Sequence, residues 1–226
     1  MTEDTAAAKL APAISRTAAL LAAGAATLVV LLAALHFIEG ELDPSWHFIS
    51  EYAIGDYGWM MVVAFLSLAL SYVSLFVAIR SQLRTIVGRI GLALLLVSAL
   101  GLIIAAIFTT DPITVSEDAL TTEGTLPNLG GTLGMAMPFA AGLIGWRLAR
   151  IPALSSAKGS LLWATGLALV AFVVSFVSIG VMVSQSGGKF GPEVLVGWPN
   201  RIEIIAYSVW LMVVAWQAIR VREHNS

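Results

Sequence analysis

The sequence has no cysteine at all. That removes disulfides, thiolate metal sites and cysteine nucleophiles from consideration. Charge is scarce too: only 12% of residues are Asp, Glu, Lys or Arg, about half the roughly 25% usual in soluble domains. With 58% hydrophobic residues over 226 positions and a mean hydropathy of +0.90, the composition is that of a membrane protein. No basic tail or patch suits nucleic acid. Neither a GxSxG elbow, an HExxH pair, a Walker loop nor a dinucleotide fingerprint occurs. No lysine lies centrally in the last apolar run, which excludes a retinal Schiff base. Only His36 of the three histidines approaches an apolar run, too few for axial haem ligands on facing helices.

Six apolar runs are present, at Thr17–Ile38, Tyr57–Ile79, Gly88–Phe108, Asn128–Leu148, Leu161–Val183 and Ile202–Ile219. Each approaches the length of about 20 residues that a helix needs to cross hydrocarbon. The first exceeds the 7–15 residues of a signal-peptide core and ends in Leu-His-Phe-Ile-Glu rather than a small-residue cleavage site, so it reads as a retained helix. The expected fold is all-α: a polytopic six-transmembrane-helix bundle over residues 17–219, with cytoplasmic tails at 1–16 and 220–226. In the fourth run, Gly130 and Gly134 have the small-xxx-small spacing of close helix packing, and Pro138 predicts a kink.

Orientation follows from charge. Ten of the twelve Lys and Arg residues fall on the side of the two termini, and only Lys189 and Arg201 on the other. The positive-inside rule therefore predicts both termini in the cytoplasm, and the Ala-rich apolar runs, in the style of bacterial inner-membrane proteins, give the inner (plasma) membrane as the expected location. Eleven of the fourteen acidic residues fall on the outer side, leaving it nine charges negative.

The outer connection from His36 to Trp59 carries two histidines, five acids and no basic residue. Carboxylates massed beside hydrocarbon are costly, so they mark a site. Asp43-Pro44 reads as a helix start and Gly55 as its stop, predicting a short amphipathic interfacial helix anchored by Trp46. His47 and Glu51 share one of its faces, and His36 and Glu39 are one turn apart. A metal set of His36, His47 and Glu51 has suitable residue types but matches no zinc spacing, and weak calcium binding lacks a regular Asp/Asn loop. Arg201, nearly alone among outer acids, is expected to pair with Asp111 or Glu51, with a lipid head group as its other possible partner.

Three stretches occur in order: Ile49-Ser50-Glu51-Tyr52 with Gly55 to Trp59; Phe108-Thr109-Thr110-Asp111-Pro112; and Gly197 to Arg201 followed by Trp210. In this the chain resembles domain-of-unknown-function family 998, six-helix bacterial and archaeal membrane proteins. The family often has Gly-x-x-His before the fourth helix, where this chain has Gly124 to Asn128, and an acid or Gln before the arginine, where this chain has Asn200. The Ser-Glu-Tyr stretch is also faintly similar to Frag1/DRAM/Sfk1 membrane proteins, a group linked with lipid handling.

The candidate ligand-binding residues are Ser50, Glu51, Tyr52, Asp111, Asn128 and Arg201, with His36 nearby. The leading expectation is an outward-facing acidic pocket that binds or moves a lipid head group or small cation. The alternatives are a membrane-embedded hydrolase or transferase with Glu51 or Asp111 as general base, and an accessory subunit. Membrane lipids, a homo-oligomer or a membrane partner are the expected contacts. No particular cofactor is implied.

Overall fold

The computed structural model describes residues 23–115 and 121–223, with the side chains of Thr122, Glu123, Thr125 and 218–223 left aside. The tail at 1–16, the start of the first run and Glu117 and Asp118 of the second outer loop lie outside the described residues. The fold is all-α, with no strand among the described residues. Helix α1 is described over Ala23–Ile38. It is followed by α2 (Gly58–Ile79), α3 (Ile86–Ile107), α4 (Thr122–Gly134), α5 (Ala136–Leu148), α6 (Lys158–Gln185) and α7 (Gly197–Glu223). Two 3₁₀ turns, Ile49–Ala53 and Pro152–Ala157, lie between helices.

Four stretches are long and apolar enough to cross a membrane: α2, α3, the α4–α5 pair over Leu126–Leu148, and Pro152–Gln185. Their surfaces match that solvent. Along α6, Val170, Val173, Val174, Phe176 and Val177 all face outward, which water would penalise and lipid does not. Exposed tryptophans fall near the two ends of the helices. Trp59 and Trp198 open α2 and α7, whereas Trp146 closes α5, Trp163 opens α6 and Trp216 lies late in α7. Interfacial tryptophan belts take this form, with the amphipathic ring at head-group depth. Arg150 stacks on the Trp146 ring at 3.8 Å.

The packing order follows the chain. Gly24 of α1 abuts Ser67 and Ser71 of α2, α3 packs on α2, α4 and α5, and α6 lies between α5 and α7. Small residues allow the closest approach. A Cβ on Gly101 would sit 2.5 Å from the Gly130 carbonyl oxygen, and one on Gly130 would sit 2.7 Å from that of Gly101. Backbone meets backbone there, as the Gly130/Gly134 spacing predicted, and Gly101 is the partner that spacing did not reveal.

The kink also follows from a residue type. Pro138 has no N–H to give the Gly134 carbonyl, and its ring crowds that oxygen. The rod divides there, into α4 ending at Gly134 and α5 beginning at Ala136. The amide of Met135, between them, reaches the Gly131 and Thr132 carbonyls at 3.2 Å each. Helix α4 begins at Thr122, six residues before the apolar run, because the Thr121 hydroxyl caps it by accepting from the Gly124 amide at 2.8 Å.

Gly101→Leu is expected to force α3 and α4 apart and to lower stability by about 1–3 kcal/mol. Gly131→Ala, where a Cβ meets nothing within 4 Å, should be neutral or stabilising by up to about 1 kcal/mol. Thermal unfolding of the two variants in detergent checks both.

Candidate functional site

The expected amphipathic helix between Asp43 and Gly55 does not form. Asp43 instead closes a short turn, its Oδ1 accepting from the Ser45 amide at 2.8 Å, and that bond draws its pKa below the ordinary carboxylate value. After a second turn through His47 the chain enters the 3₁₀ helix Ile49–Ala53. Helix α7 is the reason. A continuing helix would pair the Ile49 amide with the Ser45 carbonyl. Here the Gly197 amide takes the Ser45 carbonyl at 2.9 Å, and Asn200 Oδ1 takes the Ile49 amide at 3.1 Å. A further helical acceptor two residues on, the His47 carbonyl, goes to Arg201 Nη1 at 2.7 Å. Three residues of α7 thus replace three ladder partners of the loop. The approach needs Gly197, because a Cβ there would strike the Pro44 and His47 carbonyls.

Arg201 is the centre of this junction and is 2% exposed. Its Nε donates to His36 Nε2 at 2.7 Å, and Nη1 also reaches the Gly197 carbonyl at 3.1 Å. Nη2 donates to the Tyr52 hydroxyl at 3.2 Å, with the guanidinium carbon 5.4 Å from the Tyr52 ring centre. A guanidinium only donates, so His36 Nε2 is the acceptor and Nδ1 carries the hydrogen. That hydrogen goes to the Leu32 carbonyl, 2.5 Å away. Burial draws the Arg201 pKa down, opposed by the Tyr52 bond and by the longer-range charges of Glu51 and Asp43. The expected direct ion pair with Glu51 or Asp111 is absent. Carbonyls, an imidazole and a phenol occupy the fork instead.

Both carboxylates serve elsewhere. Glu51, 3% exposed, accepts from the Phe48 amide through Oε2 and from the Ile113 amide through Oε1, each at 2.9 Å. It therefore joins the first outer loop to the second. His47 Nδ1 stands 3.1 Å from Glu51 Oε2, a close contact without the alignment of a hydrogen bond. Asp111 holds the residue that caps α4, accepting from the Thr121 amide at 2.8 Å and from its hydroxyl at 3.1 Å. Glu39 accepts from the Tyr57 amide at 2.7 Å, fastening the end of α1 to the start of α2. Phe48 meets Phe190 of the third loop edge-on, ring centres 6.1 Å apart.

Of the sequence candidates, Tyr52 and Arg201 meet directly, and Glu51 lies one residue from Tyr52 on the loop that Arg201 grips. Ser50 is half-buried in the same turn and makes no side-chain hydrogen bond among the described residues. Asn128 is exposed on α4 and is not among the partners of Arg201. His36, His47 and Glu51 do not assemble as a metal set: both nitrogens of His36 are engaged, and no group of three such side chains suited to a metal occurs among the described residues. Asn200 and Gly197, read from the sequence only as part of the Gly197-to-Arg201 stretch that carries the family resemblance, are the residues that join the loop to α7 beside Arg201.

Beside the junction lies a cavity of about 340 Å³. Glu39, Glu41, Glu51, Asp56 and His47 line it together with Ile38, Ile54 and Tyr57, and no Lys or Arg does.

The family model described as "Protein of unknown function (DUF998)" matches residues 20–217. The chain belongs to the DUF998 family. The match takes in every element of the outer junction of this DUF998 protein, from His36 to Arg201. No curated protein and no solved structure matches the chain, and the fainter similarity to Frag1/DRAM/Sfk1 proteins has no counterpart in these comparisons.

Arg201→Lys keeps the charge but cannot serve all four acceptors, and each lost charge-assisted bond is worth about 1.5–3 kcal/mol. The variant is expected to unfold at lower temperature in detergent and to expose residues 43–56 to protease. Asn200→Ala should cost about 1–3 kcal/mol by leaving the Ile49 amide unpaired.

Proposed function

We propose that this protein is a six-span plasma-membrane protein with both termini in the cytoplasm, whose outer cap binds a small cation in its acidic cavity. The observation that carries the reading is the lining of that cavity: four carboxylates and a histidine, with no basic side chain to neutralise them. Glu39 and Glu51 are held by backbone amides. Glu41 and Asp56, exposed at the rim, make no hydrogen bond among the described residues. Such a field concentrates cations from solution. Because the carboxylates do not converge as a ligand set, the cation is held with much of its water.

A lipid head group is the weaker partner. An anionic head group would need Arg201, and four of its five donors are already given to His36, Tyr52 and two carbonyls. A hydrolytic role is disfavoured for a related reason. Glu51 and Asp111 spend their oxygens on amide and hydroxyl donors, which hold them as acceptors in place and leave no unengaged general base. The six spans and their orientation rest on the apolar runs and on the ten-to-two division of basic residues.

Calcium at ten times its dissociation constant should stabilise the purified protein by about 1.4 kcal/mol, read as a higher unfolding temperature. Glu41→Gln combined with Asp56→Asn should remove that shift while leaving the unliganded midpoint near wild type. An undiminished shift in the double variant would defeat the reading. Topology has a clean assay because the chain has no cysteine. In intact cells a membrane-impermeant maleimide should label Gly40→Cys and spare Ser226→Cys, and the reverse pattern would invert the orientation.

A further inference from the structure

The end of the bundle opposite the acidic cap has a chemistry of its own. Arg80, Arg84, Arg89, Arg147, Arg150 and Lys158 gather there, and no acidic side chain among the described residues lies with them. Two of these bases are set apart by a shared indole. The Arg150 guanidinium carbon stands 3.8 Å from the Trp146 ring centre, and that of Arg147 stands 5.7 Å from it, both within cation–π range. Arg201, at the other end, gives four bonds to protein acceptors. Arg147 and Arg150 give none among the described residues, and the Arg147 Nε is closed off from solvent without an acceptor. Arg150 is exposed. Stacking therefore fixes its guanidinium by the face and leaves the N–H edge, with its donors, open.

An apolar track runs from this pair toward the middle of the bundle. Phe139 precedes Trp146 by seven residues on α5, so the two share a helix face, and both are exposed. They are about 10 Å apart along the axis, within the roughly 15 Å depth of one leaflet's hydrocarbon. Phe139 meets Phe172 of α6 edge-on, ring centres 5.7 Å apart, and Phe172 meets Phe176 at 5.8 Å. Two fixed cations thus cap an aromatic track of acyl-chain depth. We propose that this corner of α5 and α6 is a binding site for an anionic phospholipid. Its phosphate takes the open N–H edges of Arg147 and Arg150, whose planar fork matches two oxygens at once, and one acyl chain lies along Trp146 and Phe139. A zwitterionic lipid carries its own ammonium beside the phosphate and gains less from the pair. Free phosphate has no chain for the track. The site is remote from the acidic cavity and requires only that α5 and α6 face a bilayer, in either orientation.

Native mass spectrometry of the full chain tests the site, with phosphatidylglycerol and phosphatidylcholine of identical chains supplied in equal amounts. Calcium is left out, so the outcome is independent of the cavity. Each guanidinium near an anionic head group is worth about fivefold, so phosphatidylglycerol should be retained about twenty-five-fold over phosphatidylcholine. Arg147→Gln combined with Arg150→Gln should bring the two lipids close to parity. Arg84→Gln combined with Arg89→Gln removes two charges from the same end but away from the indole, and should leave most of the preference. If the first double variant does not fold, Arg150→Gln alone carries the test, since its side chain is exposed and its loss should lower the preference about fivefold. Fluorescence gives a second measurement on the unaltered protein. Phosphatidylglycerol brominated near the ester end of its chains should quench tryptophan more strongly than brominated phosphatidylcholine, and Trp146→Phe should lose most of that difference. Equal retention of the two lipids by wild type, an equal loss of preference in both double variants, or displacement of the lipid by millimolar inorganic phosphate overturns the proposal.

Discussion

The acid-rich end of this protein depends on a trade of hydrogen bonds between one loop and one helix. The loop after α1 has the sequence of a helix start, and its backbone begins to coil. Gly197, Asn200 and Arg201 then take the Ser45 carbonyl, the Ile49 amide and the His47 carbonyl, and no continuous ladder can form. The exchange replaces those three ladder partners and ties the loop after α1 to the last helix. A buried guanidinium usually needs a carboxylate, because desolvating a lone charge is expensive. Here carbonyl dipoles, a phenol and an imidazole fixed in one tautomer surround it, while Glu51 and Asp43 act from further away.

This arrangement frees the acidic residues for other work. Three carboxylates near the junction each close a different seam: Glu39 joins α1 to α2, Glu51 the first loop to the second, and Asp111 the end of α3 to the cap of α4. These three acids are clamps on backbone amides, whereas Glu41 and Asp56 stay exposed at the cavity rim. Below it the bundle is apolar and outward-facing, bounded by tryptophans near each end. The polar cap gathers contacts from three loops.

Much of this was legible in the residues. Length and hydropathy located the helices to within a few positions, and the glycine spacing and Pro138 gave both the close α3–α4 approach and the break beside it. That Arg201 would be bonded to neighbours in the fold followed from its isolation among acids. Its actual partners did not, because carbonyls, a phenol and an imidazole can also accept from a guanidinium and only the fold decides which acceptors are near. The amphipathic helix failed for the same reason: its periodicity was sound, but residues some 150 positions away outbid its own backbone. Glu203 read as one more outer acid, and nothing in its neighbours signals that the Tyr207 hydroxyl bonds to it.

The reach of the Arg201 junction has a temporal side. His36 and Arg201 are 165 residues apart, and ribosomes add about 5–20 residues each second. The first loop thus exists for roughly 8–33 seconds before its partner is even synthesised. Until α7 is made, the Ser45 and His47 carbonyls and His36 lack the donors that hold them in the finished fold, so the last helix completes the junction.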